Sequence, residues 1–409
     1  MPAPIISVRI RLRMSSRPID EPHRVSSQLE LLFDLTFVVA VAAAVAQFAH
    51  AVAEGHALGG LVPFLQVFFA IWWAWMNFTW FASSYDTDDV LYRVLTMTQM
   101  AGVLVLAAGV PAAVEDGDLA IITVGYLVMR AGLIAQWVRA ALEDPEGRRT
   151  GLRYALGIGL AQVGWLLRLA LADSGVLPGS ALLPLFLVLA ALELAVPRWA
   201  ERARPTTWHP HHIAERYGLF TIILLGESVL AASRGVEGAL AAGEVGWRFV
   251  VIAGAGLILL FTLWWLYFLV EAGQGLSDRR HRSYWWGYGH FGVFAALAAL
   301  GAGLEVAVEQ SGHHVAASPQ AIGYAVAIPA AGYLASLWAV HALAAGAPVV
   351  RAPALLLCLA ALLLLPLTAA WAGVAAVVVL VALACVGLLA ATLWSVSRAV
   401  VTERAAVRS

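Results

Sequence analysis

Twelve windows of about 20 predominantly apolar residues limit what this chain can fold into. Each window is long enough for an α-helix to cross the hydrocarbon core of a bilayer, where a helix satisfies its own backbone hydrogen bonds. The windows fall at roughly 29–52, 59–82, 91–113, 119–142, 151–172, 179–197, 213–233, 247–271, 286–308, 321–344, 352–369 and 371–397.

Composition supports the same class. Hydrophobic residues make up 61% and charged residues 12% of the chain, whereas a soluble domain has about 45–50% and about 25%. We therefore predict an all-α, polytopic membrane protein with about twelve transmembrane helices. The lipid bilayer is its expected partner. The formal net charge of −1 gives no indication of a nucleic-acid partner.

The arginines predict the orientation of the helices. The chain has no lysine, and 21 of its 25 arginines lie in the two tails or within, or close beside, alternate connections between windows. The positive-inside rule assigns that side, with both termini, to the cytoplasm. An Ala-, Leu-, Val- and Gly-rich chain without lysine is typical of a GC-rich bacterial genome, so we expect a multi-pass protein of the bacterial inner membrane.

Three sequence echoes suggest an internal duplication. They occur in the same order at offsets of 185, 192 and 190 residues, and pair Glu30 with Glu215, Trp72-Trp73 with Trp264-Trp265, and the run from Gly102 with the run from Gly292. We predict two six-helix halves, 28–197 and 198–398, in parallel orientation. Residues 1–27 are expected to be a disordered, basic cytoplasmic tail, and 399–409 a second cytoplasmic tail.

The run from His211 to Ser233 has the apolarity of a membrane span yet contains Glu215, Arg216 and Glu227. Ionisable groups inside a bilayer cost several kcal/mol each, so they persist mainly where they are paired or face a polar path. On an ideal helix Glu227 lies about 16 Å from Arg216 along the axis, near mid-membrane. Unless Arg130 or a bound ion reaches it, we expect Glu227 to act as a hydrogen-bond donor or proton carrier.

Other windows bring polar residues to the same membrane face as His212. Glu30 and Asp34 share a helix face at i, i+4, and Asp89 and Arg93 have the same spacing and are expected to pair. Arg93 and Arg216 should each contact a carboxylate, because an unpaired arginine at membrane depth is costly. The candidate site residues are Glu30, Asp34, Asp86, Asp89, Arg93, His212, Glu215, Arg216, Glu227 and Ser228.

Three interpretations of this polar cluster stay open. The first is a set of interfacial ion pairs and helix caps, and the second is a vestibule that attracts cations. The third is a metal site, in which His212 and Glu215 at i, i+3 face Asp34 or Asp89 and bind Zn²⁺ or a di-metal pair. One His-x-x-Glu leaves metal binding undetermined. We expect no cofactor, because the chain lacks nucleotide, nucleophile-elbow and Cys-x-x-Cys motifs.

Five motifs, taken in order, resemble the bacterial low temperature requirement protein A (LtrA) family over roughly residues 25–310. They are Glu30-Leu-Leu-Phe-Asp-Leu-Thr-Phe-Val38, Trp72-Trp-Ala-Trp-Met-Asn-Phe-Thr-Trp80, Asp86-Thr-Asp-Asp89 with Arg93, His212-Ile-Ala-Glu-Arg-Tyr-Gly-Leu and Leu225-Gly-Glu-Ser228. Trp264-Trp265-Leu-Tyr-Phe268 is also similar, but Leu269 follows where the family pattern has Asp. The resemblance implies a polytopic membrane protein named for a growth phenotype in the cold, without a settled activity.

Buried charge without a catalytic constellation favours a transporter or channel-like protein for protons or small cations. One alternative is a membrane-embedded, metal-dependent enzyme built on His212, Glu215 and the aspartates. Another is a non-transporting scaffold or lipid-interacting protein for growth in the cold. Association into a homo-oligomer is left open by the sequence.

Overall fold

The computed structural model describes residues 10–19, 21–22, 24–241, 246–312, 315–346 and 348–408. Over these residues the secondary structure is helical, without β-strands. The α-helices are α1 Gln28–Ala53, α2 Ala57–Tyr85, α3 Val90–Ala108, α4 Val110–Glu115, α5 Ala120–Glu143, α6 Arg148–Asp173, α7 Gly179–Ala200, α8 Pro210–Ala241, α9 Trp247–Tyr267, α10 Ala272–Asp278, α11 Ser283–Glu309, α12 Pro319–Ala345, α13 Ala352–Leu364 and α14 Ala369–Arg408.

Ten segments of the described chain are long and apolar enough to cross a membrane. One of them, Ala352–Arg398, has 47 residues and would reach about 70 Å as one straight helix, more than twice the hydrocarbon thickness. It contains α13, a 3₁₀ turn at Leu365–Thr368 and most of α14, and so holds two of the predicted windows. The charged helix α8 is not among the ten. With α8 included and that segment divided, every predicted window corresponds to a helix, and the all-α, polytopic fold is confirmed.

The helices form two compact units. The first unit consists of Met1–Ala40 and Phe69–Arg216, and the second of Val41–Phe68 and Tyr217–Ser409. Because α1, α2 and α8 continue past these boundaries, each contributes residues to both units. The sequence duplication, with halves 28–197 and 198–398, stays a prediction.

Aromatic side chains and close helix contacts build the first unit. Trp137 and Tyr154 stack with ring centroids 4.0 Å apart, joining α5 to α6. Helices α3 and α5 approach through Gly102 and Gly125, where an added Cβ on Gly125 would lie 2.4 Å from the backbone nitrogen of Leu106. Small residues that let helix backbones come together are a recurrent feature of membrane interfaces. This framework fixes the distances between the polar side chains of the unit.

The N-terminal segment differs from the expected disordered tail. The backbone N–H of Leu12 donates to Asp89 (2.9 Å), and that of Met14 donates to Glu143 (2.6 Å). The Arg17 N–H donates to the carbonyl of Ser84 at 2.9 Å, and the Met14 side chain is fully buried. Carboxylates at the ends of α3 and α5 need donors, and the chain preceding α1 supplies them. The described residues of this segment, from 10 to the start of α1, are therefore part of the first unit.

Candidate functional site

Helix α1 begins with a local motif that positions Glu30. In Ser27-Gln28-Leu29-Glu30, the Glu30 backbone N–H donates to the Ser27 hydroxyl (3.3 Å). The Ser27 N–H donates to the Glu30 carboxylate (2.7 Å). This is a capping box, in which two donors at the helix start are satisfied reciprocally. One oxygen of Glu30 is thereby fixed, and the other, Oε1, points towards α8.

The second oxygen of Glu30 lies among cationic groups. Oε1 is 3.0 Å from Nε2 of His212, 3.1 Å from Nη1 of Arg216 and 3.6 Å from Nη2 of Arg24. The side chains of Glu30, His212 and Arg216 are completely buried. Helix α8 presents His212 and Arg216 together because they are four residues apart and share one face.

Asp34 forms a bidentate ion pair with Arg216. One turn after Glu30 on α1, it receives a bidentate pair of hydrogen bonds from Arg216, from Nε at 2.9 Å and from Nη2 at 2.5 Å. The indole N–H of Trp75 donates to the same carboxylate at 2.7 Å. Bidentate arginine–carboxylate contacts add geometric specificity to the charge attraction. Asp34 therefore anchors the Arg216 guanidinium, which also contacts Glu30.

The ion pairs continue from Arg24 to Asp86, the residue directly after α2. Its carboxylate is 3.5 Å from Nη2 of Arg24 and 3.7 Å from Nη1 of Arg17, which also pairs with Glu21. Burial raises the pKa of Asp86 to about 6, and the nearby negative charge of Glu30 contributes in the same direction. Asp86 is therefore a group that can exchange a proton near neutral pH.

Together these residues form one continuous network, which we call the Glu30 cluster. Its members are Arg17, Glu21, Arg24, Glu30, Asp34, Asp86, His212 and Arg216. Three guanidinium groups face four carboxylates, so with His212 neutral the cluster has one negative charge in excess. A single proton, on His212 or on a carboxylate such as Asp86, balances it.

The pairing expected between Asp89 and Arg93 is wrong. Asp89 caps α3 by accepting from the Tyr92 N–H (3.0 Å), and its carboxylate binds Arg139 of α5 at 2.8 and 2.5 Å. Arg93 instead pairs with the exposed Asp88 through two contacts of 2.8 Å. The capping geometry turns the Asp89 side chain into the unit, whereas Arg93 lies on its surface. Arg93 does contact a carboxylate, but a different one.

The pKa of Asp89 reflects this setting. Burial by itself would raise it, but hydrogen bonds from Arg139 and from the backbone N–H groups of Leu12 and Tyr92 hold the pKa below its ordinary value. Asp89 is therefore a fixed negative charge that ties α3, α5 and the N-terminal segment together, and it does not belong to the Glu30 cluster.

Three other candidate residues lie elsewhere. Glu215 is exposed and accepts a bond from the Ser26 N–H at 3.3 Å, outside the buried network. Glu227 and Ser228 are buried in the second unit, where the Ser228 hydroxyl donates to the carbonyls of Leu224 and Leu297. A proton-carrying role for Glu227 stays a prediction.

Sequence reasoning missed a second ionic site in the first unit. The carboxylate of Glu193, on α7, is completely buried and accepts hydrogen bonds of 2.9 to 3.4 Å from five side chains. The donors are Trp73, Tyr126, Arg130, Gln162 and Trp165. Glu193 is the single charged residue in the window 179–197, a signal that indicates a buried partner. That partner is Arg130, whose Nη2 lies 3.4 Å from the Glu193 carboxylate.

Metal ligands do not converge at the predicted place. In the part of the chain that the structure describes, no group of three or more His, Cys, Asp or Glu side chains is arranged to hold a metal ion. His212 and Glu215, the pair proposed as ligands, point in different directions, since His212 faces Glu30 and Glu215 is exposed.

The fold and the buried ion pairs define a polytopic, α-helical membrane protein with an ionic cluster between its helices. The chain belongs to the bacterial low temperature requirement A protein (LtrA) family, whose model matches residues 25–389. It is similar to an uncharacterized protein of Rhizobium meliloti (strain 1021), with 24% identity over 285 residues. That match covers 66% of this chain and 66%, just under two thirds, of the relative. No solved structure matches the chain.

Proposed function

We propose that this protein moves protons across the membrane and that the Glu30 cluster is its proton-binding site. The observation that carries the proposal is the complete burial of Glu30, His212 and Arg216 in a network with one more carboxylate than guanidinium. Such a network can take up and release one proton without leaving a large uncompensated charge inside the protein.

Energetics favour a functional role for this arrangement. Replacing a buried ion pair by well-packed apolar residues is often neutral or stabilising, because desolvation offsets the attraction between the charges. A bundle that needed only stability would gain little from the Glu30 cluster. Ionisable residues inside membrane segments typically mark ion or proton routes, and four members of the Glu30 cluster, Glu30, Asp34, His212 and Arg216, lie on helices α1 and α8.

The distance between His212 and Glu30 allows proton transfer once the imidazole turns, because neither His212 Nε2 nor Glu30 Oε1 makes a hydrogen bond to a described residue as the side chains stand. Their closest atoms, Nε2 and Oε1, are 3.0 Å apart, within the range of about 2.6–3.2 Å for direct transfer. Asp86 is linked to Glu30 through Arg24, which contacts both carboxylates. Arg24 couples the charges of the two carboxylates but does not itself pass a proton. Asp86 exchanges protons with the aqueous side, and His212, in the first turn of α8, holds a proton at the centre of the cluster.

The Arg216 guanidinium favours protons over larger cations. Arg216 contacts Glu30 and Asp34 at the centre of the cluster and is completely buried. A fixed positive charge of this kind repels metal cations that would enter the cluster. A proton can still be held, because it binds to a neighbouring carboxylate or imidazole. Of the species that a carboxylate path can conduct, the proton fits this site best.

Proton flux into liposomes tests the proposal. Purified protein would be reconstituted around a pH-sensitive dye, and a potassium gradient with valinomycin would drive protons inwards. Wild-type protein should acidify the lumen, and Glu30→Gln and His212→Gln should each lower the initial rate at least about tenfold. Asp88→Asn is the matched control, because Asp88 is exposed and pairs only with Arg93 among the described ion pairs.

Variants must elute from size-exclusion chromatography as wild type does before their rates are compared. Wild-type liposomes that acidify no faster than empty ones would contradict the proposal. So would Glu30→Gln and His212→Gln proteins that transport at the rate of Asp88→Asn.

A further inference from the structure

A cavity of about 640 Å³ lies in the second unit. Its walls are the beginnings of α9 and α12, the end of α11 and the first turns of α14. Pockets that hold small molecules typically measure about 300–1,000 Å³. The cavity is lined by residues that do not belong to the Glu30 cluster, so ligand binding in it can be tested whether or not the protein moves protons.

A break in α14 shapes one wall of the cavity. Gly373 has φ +81° and ψ 163°, and an added Cβ there would meet no atom within 4 Å. A side chain would be strained at this positive φ whatever the space, so glycine suits the position. The helix restarts after Gly373, and Val374, Ala375 and Ala376 line the cavity. Backbone N–H groups in the first turn of a helix lack acceptors within that helix.

The polar part of the cavity is electropositive. Among its described lining residues the charged one is Arg248, with Gln310 and Ser311 as further hydrogen-bonding side chains. Helix α9 begins at Trp247, next to Arg248, and its N-cap residue Gly246 provides no side-chain hydrogen bond. Positive ends of helices favour anions, and here the beginnings of α9 and of the restarted α14 accompany an arginine. The charge complementarity therefore points to an anionic group.

The remaining walls indicate a ligand with an apolar part. Val251, Ile252, Val379 and Leu380 continue the lining from the polar end. Trp247 and Trp371 are 69% and 80% exposed in the protein alone. Tryptophan is enriched where a membrane protein meets the headgroup layer. A soluble anion would have no use for the apolar wall, whereas an acyl chain would lie along it.

We propose that this cavity binds a membrane phospholipid, with the phosphate held by Arg248 and the restarted end of α14. The Gln310 amide donates a hydrogen bond to a headgroup oxygen, whereas the Ser311 hydroxyl already donates to the carbonyl of Val308 at 2.7 Å and can only accept. The acyl chains leave the cavity along Val251 and Val379, and Trp371 lies at the level of the glycerol backbone.

Bound lipid tests this assignment directly. Full-length protein in mild detergent would be incubated with phosphatidylglycerol, and the lipid retained per protein would be quantified by native mass spectrometry. Arg248→Gln should lower retention about fivefold, the effect expected for one arginine at a lipid headgroup. Arg351→Gln is the matched control, because Arg351 is an exposed arginine of the same unit that does not line the cavity.

Each outcome decides the proposal. Equal retention by Arg248→Gln and Arg351→Gln would overturn it. Displacement of phosphatidylglycerol by millimolar inorganic phosphate would identify a free-phosphate site instead. If Arg248→Gln yields no monodisperse protein, Trp371→Ala replaces it, with an expected loss of about twofold, and unchanged retention there would also contradict a lipid site.

Discussion

Asp88 and Asp89 are adjacent in the chain but have opposite environments. Asp88 adopts a left-handed backbone conformation with φ 48° and pairs with Arg93 at the surface. Asp89 is completely buried and bound by Arg139, by the Tyr92 N–H and by the Leu12 N–H. The two aspartates therefore provide a natural pair of variants for separating buried from exposed charge.

We expect Asp89→Asn to destabilise the protein by about 2–3 kcal/mol, because Arg139 loses a charged hydrogen-bond partner. Asp88→Asn should have little effect, since exposed ion pairs contribute little and asparagine tolerates a left-handed backbone. The free energy of unfolding of both variants in detergent would be measured from their tryptophan fluorescence. Equal stability of the two variants would contradict the geometry of the buried pair.

The lowered pKa of Asp89 also predicts a pH dependence. Because the folded-state pKa lies below the ordinary value of 3.8, ionised Asp89 contributes stability above that value and loses it as the pH falls further. Wild-type protein should thus lose thermal stability as the pH falls below about 4, and Asp89→Asn should lose less over the same interval. Parallel curves of thermal stability against pH for the two proteins would exclude Asp89 as the source of the lost stability.

Asp86 should titrate in the opposite sense. Burial raises its folded-state pKa to about 6, so the folded state binds this proton more tightly than the unfolded state does. Ionisation of Asp86 consequently costs stability as the pH rises from 3.8 through about 6. Infrared difference spectra between pH 5 and 7 should show the loss of a protonated carboxyl band. That band should be missing in Asp86→Asn, and its persistence there would assign the proton to another residue.

The Arg130–Glu193 pair predicts strong coupling between two substitutions. Arg130→Met or Glu193→Gln alone leaves the other charge buried without compensation, at a cost of about 3–5 kcal/mol. The double variant removes both charges and should therefore cost clearly less than the two single variants added together. Unfolding of all four proteins in detergent measures the coupling. Strict additivity of the two changes in the free energy of unfolding would show that Arg130 and Glu193 do not interact.

At the scale of elements, the segment before α1 holds the ends of three helices. Its backbone donates to Ser84 at the end of α2, to Asp89 at the start of α3 and to Glu143 at the end of α5. Arg17 and Arg24 from the same stretch also supply two of the three guanidinium groups of the Glu30 cluster. The segment thus contributes to stability and to the electrostatics of the candidate site.

Met14 anchors that segment, because its side chain is fully buried whereas Ile10 is 78% exposed. Met14→Ala should destabilise the protein by about 2 kcal/mol or more, as truncations of buried methionine do. Ile10→Ala should have no measurable effect. Thermal unfolding in detergent compares the two variants. A Met14→Ala protein as stable as Ile10→Ala would mean that the segment does not hold this position in solution.

At the scale of the whole molecule, the distribution of the arginines predicts the orientation in the membrane. A cysteine placed at residue 56 should react with an impermeant thiol reagent added outside intact cells, whereas one placed at residue 148 should not. The native cysteines, Cys358 and Cys385, are both buried, which keeps the background low. Labelling of both engineered positions from the same side would overturn the predicted topology.

The helical membrane fold was predictable from the sequence because each span is a local property. About 20 residues of sufficient apolarity decide whether a segment crosses the bilayer, and no distant residue is needed. The same holds for Glu30, whose capping box with Ser27 is contained in four residues. The contact between Arg216 and a carboxylate was also predictable from the sequence, because the cost of an unpaired arginine depends on its depth in the membrane.

Only the tertiary structure decided which charges meet. Arg216 binds Asp34 across 182 residues and Arg139 binds Asp89 across 50, whereas spacing within one helix suggested Arg93 for Asp89. The rotation and depth of neighbouring helices are set by the packing of many side chains, such as the approach of α3 and α5 at Gly102. Helical periodicity describes one helix at a time, so it restricts the face of a charged residue without identifying the residue opposite.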